Sequence, residues 1–302
     1  MTVGLLVGSG GLGDQSYNDM TFSGLGKAQH EYGFKLIIEE PSNTMESQEK
    51  ALSNLFHQGA EIIVANGAGL HQLITKHAPQ HPKKCFIVND FPINNHPNIA
   101  STVFAHEEGS YLVGLLAASY SKTGKIGFIG GVDIPQLRAF LDGYTLGVKK
   151  ISPHISIDTV FMTEAGDFSG FEMPNEGLQA ATEMYDNGVD VIYAVAGLTG
   201  NGVIQAAFRN KKMVIGVDSD QDHMAKGHVL TSMMKRLDTS TYAEISQILN
   251  NNFQPGIKFY SLKNGGISLS PMRFTRHLIL DQTFDLLQQA EQDIIDGKIL
   301  FP

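Results

Sequence analysis

Short runs of β-branched and other apolar residues alternate along this chain with helix-length segments that carry apolar residues on one face. A helix between two such runs returns the chain to the same end of a sheet, so the strands lie parallel. The pattern therefore predicts an α/β fold in which Gly33, Gly59 and Gly188 end helices. The predicted strands are Val3–Val7, Lys35–Ile38, Glu61–Val64, Cys85–Val88, Lys125–Ile129, Asp158–Phe161, Asp190–Tyr193, Met213–Val217 and Val229–Met234.

Two stretches of the chain recur in the same order in its second half. Gln58-Gly-Ala-Glu-Ile-Ile-Val-Ala65 is similar to Asn187-Gly-Val-Asp-Val-Ile-Tyr-Ala194, and Lys83-Lys-Cys-Phe-Ile-Val88 is similar to Lys211-Lys-Met-Val-Ile-Gly216. Nearly the same number of residues separates the two copies, which favours a duplicated unit over chance similarity between buried strands. We therefore expect two doubly wound parallel-sheet lobes.

Composition narrows the class of protein. The chain has 302 residues, 42% of them hydrophobic and 18% charged, and a formal net charge of −9. This is typical of a globular protein and is long enough for two hydrophobic cores. The negative charge and the lack of a basic cluster in the sequence argue against a nucleic-acid partner. The longest apolar run, Tyr111–Tyr120, is too short to span a membrane.

The residues themselves give little indication of the cellular compartment. The single cysteine, Cys85, lies in a predicted strand, where we expect a buried thiol. The first predicted strand begins directly after Met1 and Thr2, so we expect that any leader segment has been removed.

Open parallel sheets bind ligands at the carboxyl ends of their strands, so the loops that follow the predicted strands form the candidate site. These loops are rich in glycine, polar and aromatic residues. They are Gly8–Asn18, Asn66–Leu70, Asn89–Phe91, Gly130–Leu137, Ala165–Phe171, Ala196–Gly200 and Asp218–Gln221.

The first of these loops contains a glycine pattern that is also found in dinucleotide-binding enzymes. Gly8-Ser-Gly10-Gly-Leu-Gly13 follows a strand, and the acidic pair Glu39-Glu40 ends the next strand. However, the polar run from Asp14 to Asp19 indicates a loop and a helix cap where the pattern requires a helix, and its carboxylates would repel a pyrophosphate. The sequence shows no metal-ligand spacing and no nucleophile with its base. We therefore expect no catalytic residue, no metal and no cofactor.

A flat ligand with hydroxyl groups fits the residue types in the candidate loops. Tyr17 and Phe168 are predicted to lie in loops of opposite lobes and to stack on the two faces of a base, each contact contributing roughly 1–3 kcal/mol. The alternative is that each ring packs against its own lobe. A nucleoside offers such a base together with ribose hydroxyls.

Polar residues at the strand ends are candidates for the hydroxyls and ring nitrogens. Asp90 and Asp218 each end an apolar run, and the repeat makes Asn89 and Asp218 near-equivalent positions. Carboxylates accept strong hydrogen bonds from hydroxyl groups, Lys235 can donate one, and the turn at Gly197 offers backbone N–H groups. Helix capping by the aspartates and a surface position for Lys235 are the alternatives.

Several motifs, in the same order along the chain, resemble the basic membrane protein family of ABC-transporter substrate-binding proteins, whose best-understood members are purine nucleoside receptors. They are Gly13-Asp14-Gln-Ser-Tyr-Asn18, Lys122-Thr-Gly-Lys-Ile-Gly-Phe-Ile-Gly-Gly131, Asp133-Ile-Pro135, Ala196-Gly-Leu-Thr-Gly200, Gly216-Val-Asp-Ser-Asp-Gln221, Leu230-Thr-Ser-Met-Met-Lys-Arg236 and Gly297-Lys-Ile.

The resemblance implies a type I periplasmic binding fold: two lobes joined by a hinge of three chain crossings, with the ligand in the cleft between them. The amino-terminal lobe would comprise residues 1–105 and about 236–264, and the carboxyl-terminal lobe residues 106–235 and about 265–302.

The resemblance also implies roles for particular residues. Tyr17 and Phe168 would stack on the base, with Phe171 as a possible substitute for Phe168. The polar contacts would come from Asn18, Asp90, Asp218 and Lys235, and Asp14 and Asp220 lie inside the matching motifs. Two residues depart from the family pattern, since Tyr17 stands in place of phenylalanine and Gln15 in place of lysine, and either change can alter which base is accepted.

The expected function is capture of a nucleoside, with a purine preferred, by lobe closure and its delivery to an ABC-type membrane permease. The protein would act as a monomer in the periplasm or at the outer face of the cytoplasmic membrane, with or without a lipid anchor. The alternatives are a receptor for another flat heterocycle such as riboflavin, a receptor for a sugar-like signal, or a ligand-sensing regulator on the same fold. The regulator would require a DNA-binding segment, which this sequence does not contain.

Overall fold

The computed structural model describes residues 1–301. The chain divides into two compact units. The first contains Met1–Phe104 and Arg236–Tyr260, and the second contains Ala105–Lys235 and the chain from Ser261 onward. The chain therefore passes between the units after Phe104, after Lys235 and after Tyr260.

The first unit contains one six-stranded sheet within the described residues, in the order β11-β5-β4-β3-β1-β2. Every pair of neighbours in this sheet is parallel. Its elements are β1 (Thr2–Leu6), α1 (Tyr17–Tyr32), β2 (Lys35–Glu39), α2 (Met45–His57), β3 (Ile62–Asn66), α3 (His71–His77), β4 (Cys85–Asn89), β5 (Ile99–Phe104), α8 (Leu237–Leu249) and β11 (Gly256–Tyr260), with 3₁₀ turns at Ala68–Leu70 and Ala78–Gln80.

The second unit also contains one six-stranded sheet in the described part of the chain, in the order β12-β10-β9-β8-β6-β7. The short strand β12 runs antiparallel to β10, and the remaining pairs are parallel. Its elements are α4 (His106–Tyr120), β6 (Lys125–Val132), α5 (Pro135–Ile151), β7 (Ser156–Thr163), α6 (Pro174–Asp186), β8 (Val191–Val195), α7 (Leu198–Asn210), β9 (Met213–Asp218), β10 (Val229–Lys235), β12 (Ile267–Leu269) and α9 (Asp281–Ile295), with 3₁₀ turns at Phe168–Phe171, Leu262–Asn264 and Arg276–Leu278.

The two sheets repeat one topology, which confirms the prediction of two doubly wound lobes from a duplicated sequence. β3 and β4 of the first unit correspond to β8 and β9 of the second, and in both cases they are the central pair of the sheet. Three strands were missing from the prediction. β5 carries the polar pair Ser101 and Thr102 in its centre, while β11 and β12 are edge strands with weak apolar patterns.

Alternation along the strands directs side chains to two cores. From β1, Val3 and Leu5 pack toward α1 and α8, whereas Leu6 packs with α2 and α3 on the other face. In the second unit, α6 and α7 pack with the central strands in one core, and most of helix α4 is buried. Among the described residues, no helix is long and apolar enough to cross a membrane.

Helix ends follow local sequence chemistry. Gly33 ends α1 in the left-handed conformation at φ 69°, and Thr44 starts α2 by accepting a hydrogen bond from the backbone N–H of Ser47 at 3.2 Å. Pro135 and Pro174 occupy the first turns of α5 and α6, where a missing N–H has no cost.

Helix α1 contains two glycines with different surroundings, which gives a matched test of the packing. A Cβ atom at Gly24 would collide with the backbone of Asp238 in α8, whereas a Cβ atom at Gly26 would meet nothing within 4 Å. We expect Gly24→Ala to lower the free energy of unfolding by about 1–3 kcal/mol and Gly26→Ala to raise it by about 0.5–1 kcal/mol, because alanine favours a helix. Denaturant unfolding of both variants checks this, and equal effects would contradict the close approach of α1 and α8.

Candidate functional site

Asp14 lies in the loop after β1 and organises the start of helix α1. This carboxylate is fully buried and accepts hydrogen bonds from the backbone N–H groups of Ser16, Asn18 and Asp19 at 2.9, 2.9 and 3.2 Å. Burial raises the pKa of Asp14 to about 6, and the three backbone donors act against that rise. Asp14 therefore holds the first turn of α1, and its predicted contact with a ligand gains no support from this geometry.

The buried Asn18 amide ties the glycine loop to the end of β3. Its oxygen accepts from the Gly8 backbone N–H at 3.1 Å and from the Asn66 amide at 2.9 Å. Its nitrogen donates to the Ser9 carbonyl oxygen at 3.1 Å and to Asp14 at 3.0 Å. An asparagine side chain has two donors and two acceptor positions, so all four are used inside the unit. We assign Asn18 to holding the loop, and direct contact with a ligand stays a prediction.

Asn66 and Asn89 extend this into a buried network at the carboxyl edge of the first sheet. The Asn66 oxygen accepts from the Thr21 hydroxyl at 2.7 Å and from the Asn89 amide at 2.9 Å. The Asn89 oxygen accepts from the Thr102 hydroxyl at 2.8 Å. We call this set the asparagine network; its members are Asn18, Thr21, Asn66, Asn89 and Thr102. Asn89 is fully buried in it and supports the loop, and its direct contact with a ligand stays a prediction.

Tyr17 and Asp90 lie beside this network and are partly exposed. Tyr17 is the first residue of α1, and its hydroxyl donates to the carbonyl oxygen of Asn89 at 3.4 Å. The Tyr17 hydroxyl thus points to the end of β4. Asp90 follows β4 directly, with its backbone N–H donating to the Thr102 carbonyl oxygen at 2.7 Å.

In the second unit, Asp218 and Lys235 form a buried ion pair at the carboxyl ends of β9 and β10. The Lys235 ammonium lies 3.5 Å from a carboxylate oxygen of Asp218, and the two residues are only 3% and 5% exposed. The ammonium also lies over the Phe140 ring, 5.5 Å from its centre, and that ring stacks on His106 at 4.4 Å and lies 6.5 Å from the Tyr193 ring. Lys235 is the last residue of a strand and is buried, so the surface alternative is wrong.

The structure corrects the equivalence that the repeat suggested. β4 ends at Asn89 and β9 ends at Asp218, but the register pairs Ile62 with Cys85 in the first unit and Val191 with Met213 in the second. Counting from those pairs makes Asp90 the counterpart of Asp218. Both aspartates have the left-handed backbone, at φ 72° and 65°, which non-glycine residues rarely adopt. A loop follows each of them, so neither caps a helix.

Asp220 belongs to a separate group of charges beside the pair. Its carboxylate binds the Arg273 guanidinium at 2.8 Å and accepts the Asp222 backbone N–H at 3.3 Å. Asp222 is 1% exposed, and burial together with the Asp220 charge raises its pKa. Asp220 therefore faces Arg273, and its predicted contact with a ligand stays untested.

The predicted aromatic loop of the second unit is a 3₁₀ turn, Phe168–Phe171. Both phenylalanines are partly exposed. A Cβ atom at Gly197 would meet Phe171 side-chain atoms at 3.6 Å, and one at Gly131 would collide with the Phe171 ring. Phe171 is thus the aromatic residue that lies against the glycines at the ends of β6 and β8. Gly197 itself starts α7 with φ 54°, a conformation suited to glycine.

The glycine loop Gly8–Gly13 does not offer the free N–H groups that a pyrophosphate needs. The Leu12 N–H donates to Glu40 at 2.9 Å, and the N–H groups of Gly13 and Gln15 donate to Asp19 at 2.8 and 2.9 Å. Carboxylates thus occupy the donors, in agreement with the argument from sequence against a dinucleotide. No cluster of three or more metal-ligating side chains occurs among the described residues.

Sequence reasoning gave no role of its own to three residues that support the candidate loops. Asn66 and Thr199 lie inside the predicted loops Asn66–Leu70 and Ala196–Gly200, and a polar residue that ends an apolar run, as Asn66 ends β3, was an available signal. Phe140 lies inside helix α5, where nothing in the local pattern distinguishes it from a core residue.

A model of the family described as "ABC transporter substrate-binding protein PnrA-like", or Bmp, matches residues 1–302. The chain belongs to this family. It is 31% identical over 319 residues to the ABC transporter nucleoside-binding protein BmpA of Lactococcus lactis subsp. cremoris, with 99% of this chain and 88% of the relative covered. It is 33% identical over 304 residues to basic membrane protein A of Borreliella burgdorferi, with 98% and 86% covered.

Solved structures agree with the family assignment. The crystal structure of an ABC transporter system solute-binding protein from Aeropyrum pernix K1 is similar to this chain with a TM-score of 0.90 at 27% identity, and covers 100% of this chain and 93% of its own. This Bmp-family chain is therefore an ABC-transporter substrate-binding protein with a type I-like binding-protein fold. Proteins of this class act outside the cytoplasm, bind a solute and deliver it to a permease.

The asparagine network predicts a large cost for removing its centre. Asn66→Leu keeps the side-chain volume but removes one buried hydrogen bond each from the amides of Asn18 and Asn89 and from the Thr21 hydroxyl. We expect the free energy of unfolding to fall by at least about 2 kcal/mol. Asn54→Leu on α2 is the matched control, because its amide makes only a 3.4 Å bond to Glu39 and should cost under about 0.5 kcal/mol. Denaturant unfolding of the ligand-free variants decides, and similar midpoints would show that the network contributes little.

The raised pKa of Asp14 predicts a pH dependence of stability. Because folding favours the protonated carboxyl, this group lowers the free energy of unfolding as pH rises from the ordinary value of 3.8 to about 6. Asp14→Asn should remove up to about 3 kcal/mol of that decline. The control is Asp167→Asn, since a hydrogen bond from Ser169 lowers the pKa of that exposed carboxyl and gives a dependence of opposite sign. The free energy of unfolding is measured for both proteins between about pH 4 and pH 7. If it changes with pH in the same way for wild type and Asp14→Asn, the assignment is wrong.

Proposed function

We propose that this Bmp-family protein is the receptor of an ABC importer for a nucleoside, with a purine base preferred. The relative from Lactococcus lactis carries the printed name of a nucleoside-binding protein, and its similarity extends over 99% of this chain. The residue types at the strand ends supply aromatic faces for a base and charged partners for hydroxyl groups and ring nitrogens.

The observation that carries the proposal is the buried Asp218–Lys235 pair. Two charges with 5% and 3% exposure at the carboxyl edge of a parallel sheet are costly unless they are paired, and they stand where such sheets bind ligands. A carboxylate accepts from adjacent hydroxyls, and an ammonium group has three donors. The left-handed backbone at Asp218 adds strain of a kind that clusters in binding sites.

The first unit would supply the base contact. Tyr17 is partly exposed at the start of α1, and its ring is positioned by the bond from its hydroxyl to the end of β4. Asp90 has the same backbone conformation as Asp218 and the equivalent place in its sheet, so we propose that it is the second polar contact. In the second unit, Phe171 joins Phe168 as a candidate for the opposite face of the base.

Capture would proceed by closure of the two units on the ligand, with no bond made or broken. A ligand that binds residues of both units stabilises the closed state by its difference in affinity for the two states. The chain leaves the second unit immediately after Lys235, so a ligand contact there would lie next to a hinge segment. We propose that the protein works as a monomer that docks on its permease, and that a lipid anchor is an accessory to this role.

Calorimetric titration of ligand-stripped protein tests the function. The panel contains guanosine, inosine, adenosine, a pyrimidine nucleoside, free bases, riboflavin and NAD. We expect one-to-one binding of a purine nucleoside and weaker binding of the free base. The base alone lacks the ribose hydroxyls, from which Asp90 and Asp218 would accept hydrogen bonds. Binding of riboflavin or NAD in the absence of any nucleoside signal would overturn the ligand assignment.

Variants of the ion pair separate binding from folding. Asp218→Asn tolerates the left-handed backbone but removes the negative charge that faces the Lys235 ammonium, so we expect nucleoside binding to weaken by about 10–100-fold and stability to fall by about 3–5 kcal/mol. The double variant Asp218→Asn/Lys235→Met should regain most of the stability but not the affinity. Asp293→Asn, which removes the ion pair between Asp293 on α9 and Lys298 just beyond this helix, is the matched control and should leave binding unchanged. Full affinity in the double variant would show that the pair is structural only.

A further inference from the structure

Thr199 is a fully buried residue in the first turn of α7 that has no assigned role. Its hydroxyl donates to the carbonyl oxygen of Gly170 at 2.7 Å and accepts the backbone N–H of Met173 at 2.8 Å. Gly170 lies inside the 3₁₀ turn Phe168–Phe171, and Met173 precedes α6. The Thr199 side chain thus binds one residue inside the aromatic turn, Gly170, and one residue just after it, Met173.

The aromatic turn depends on such outside contacts. A four-residue 3₁₀ turn has poor hydrogen-bond geometry of its own and is stable only where the surrounding structure holds it. The Gly170 backbone packs on the carbonyl group of Gly131, where a Cβ atom would collide, and the Thr163 hydroxyl donates to the carbonyl oxygen of Asp167. Beyond these contacts with β6 and β7, the two bonds of Thr199 connect the turn to a third element, α7.

We propose that Thr199 is a positioning residue that sets the place of Phe168 and Phe171 and thereby the affinity for the flat part of the ligand. This inference rests on the proposed function, since it assigns these rings to the base of a nucleoside. A ring that is already held in its bound position loses less conformational entropy on binding, so affinity depends on the hydroxyl although Thr199 itself touches no ligand.

The methyl group of Thr199 has a separate packing role, which the test must keep constant. A Cβ atom at Gly177 would come within 2.8 Å of the Thr199 Cγ2 atom, so α6 and α7 approach closely there. Thr199→Val keeps this methyl group and removes both hydrogen bonds. Thr199→Ser removes the methyl group and keeps both hydrogen bonds.

The binding experiment measures guanosine and inosine affinity for the full chain. We expect Thr199→Val to bind about tenfold more weakly and Thr199→Ser to stay within about twofold of wild type. Thr182→Val is the matched control, because the Thr182 hydroxyl bonds only to the Leu178 carbonyl oxygen of its own helix α6. Equal affinity of Thr199→Val and Thr199→Ser would overturn the proposal. Thr199→Cys, with a weak donor in place of the hydroxyl, serves as a second variant if Thr199→Val does not fold.

A double-mutant cycle distinguishes positioning from a general loss of structure. Phe168→Leu and Phe171→Leu remove the aromatic faces while keeping apolar volume. When Thr199→Val is combined with the phenylalanine substitution that removes the stacking ring, its effect on nucleoside affinity should shrink to under about twofold. A tenfold effect that persists in both backgrounds would show that Thr199 does not act through these rings.

Hydrogen exchange tests the structural half of the inference without any ligand. In Thr199→Val the backbone N–H of Met173 loses its acceptor, so we expect its exchange to accelerate while that of Thr199→Ser stays like wild type. Unchanged exchange would overturn the inference even if nucleosides bind. Faster exchange combined with a wild-type protein that binds no nucleoside would instead reject the proposed function and leave the positioning role of Thr199 standing.

Discussion

Polar groups at the carboxyl edges of two buried parallel sheets have to find partners, and most of the local structure near the candidate site follows from this requirement. An unpaired buried amide or charge costs a large part of the stability of a domain. In the first unit Asn66 and Asn89 end central strands and are satisfied by each other and by threonine hydroxyls. In the second unit the opposite charges of Asp218 and Lys235 pair with each other.

The two units therefore share one fold but carry different polar groups at the carboxyl edges of their sheets. The strand order and the left-handed aspartate at the same place are common to both units. The neutral network holds a loop and a helix start, whereas the ion pair places charge at the sheet edge beside the ring of Phe140.

Residues of the same type serve either the ligand or the loop that surrounds it, and sequence alone does not separate the two uses. Asp14, Asn18 and Asn89 have the composition of ligand contacts, yet their hydrogen bonds close on the protein itself. Asp90 and Asp218 look similar in the sequence but carry strained backbone and stand at equivalent sheet positions. For Asn18 the distinction depends on Asn66, which lies 48 residues away along the chain.

The sequence by itself determined the fold class, the duplication, nine of the strands and the family, because periodicity, glycine positions and local motifs depend on residues a few positions apart. It also placed the candidate loops, since parallel strands bring their carboxyl ends to one edge. Only the tertiary structure decided that Lys235 is buried against Phe140 and that Thr199 reaches the aromatic turn. These facts depend on strand register and on packing between elements that are distant in sequence, where a shift of one residue exchanges one partner for another.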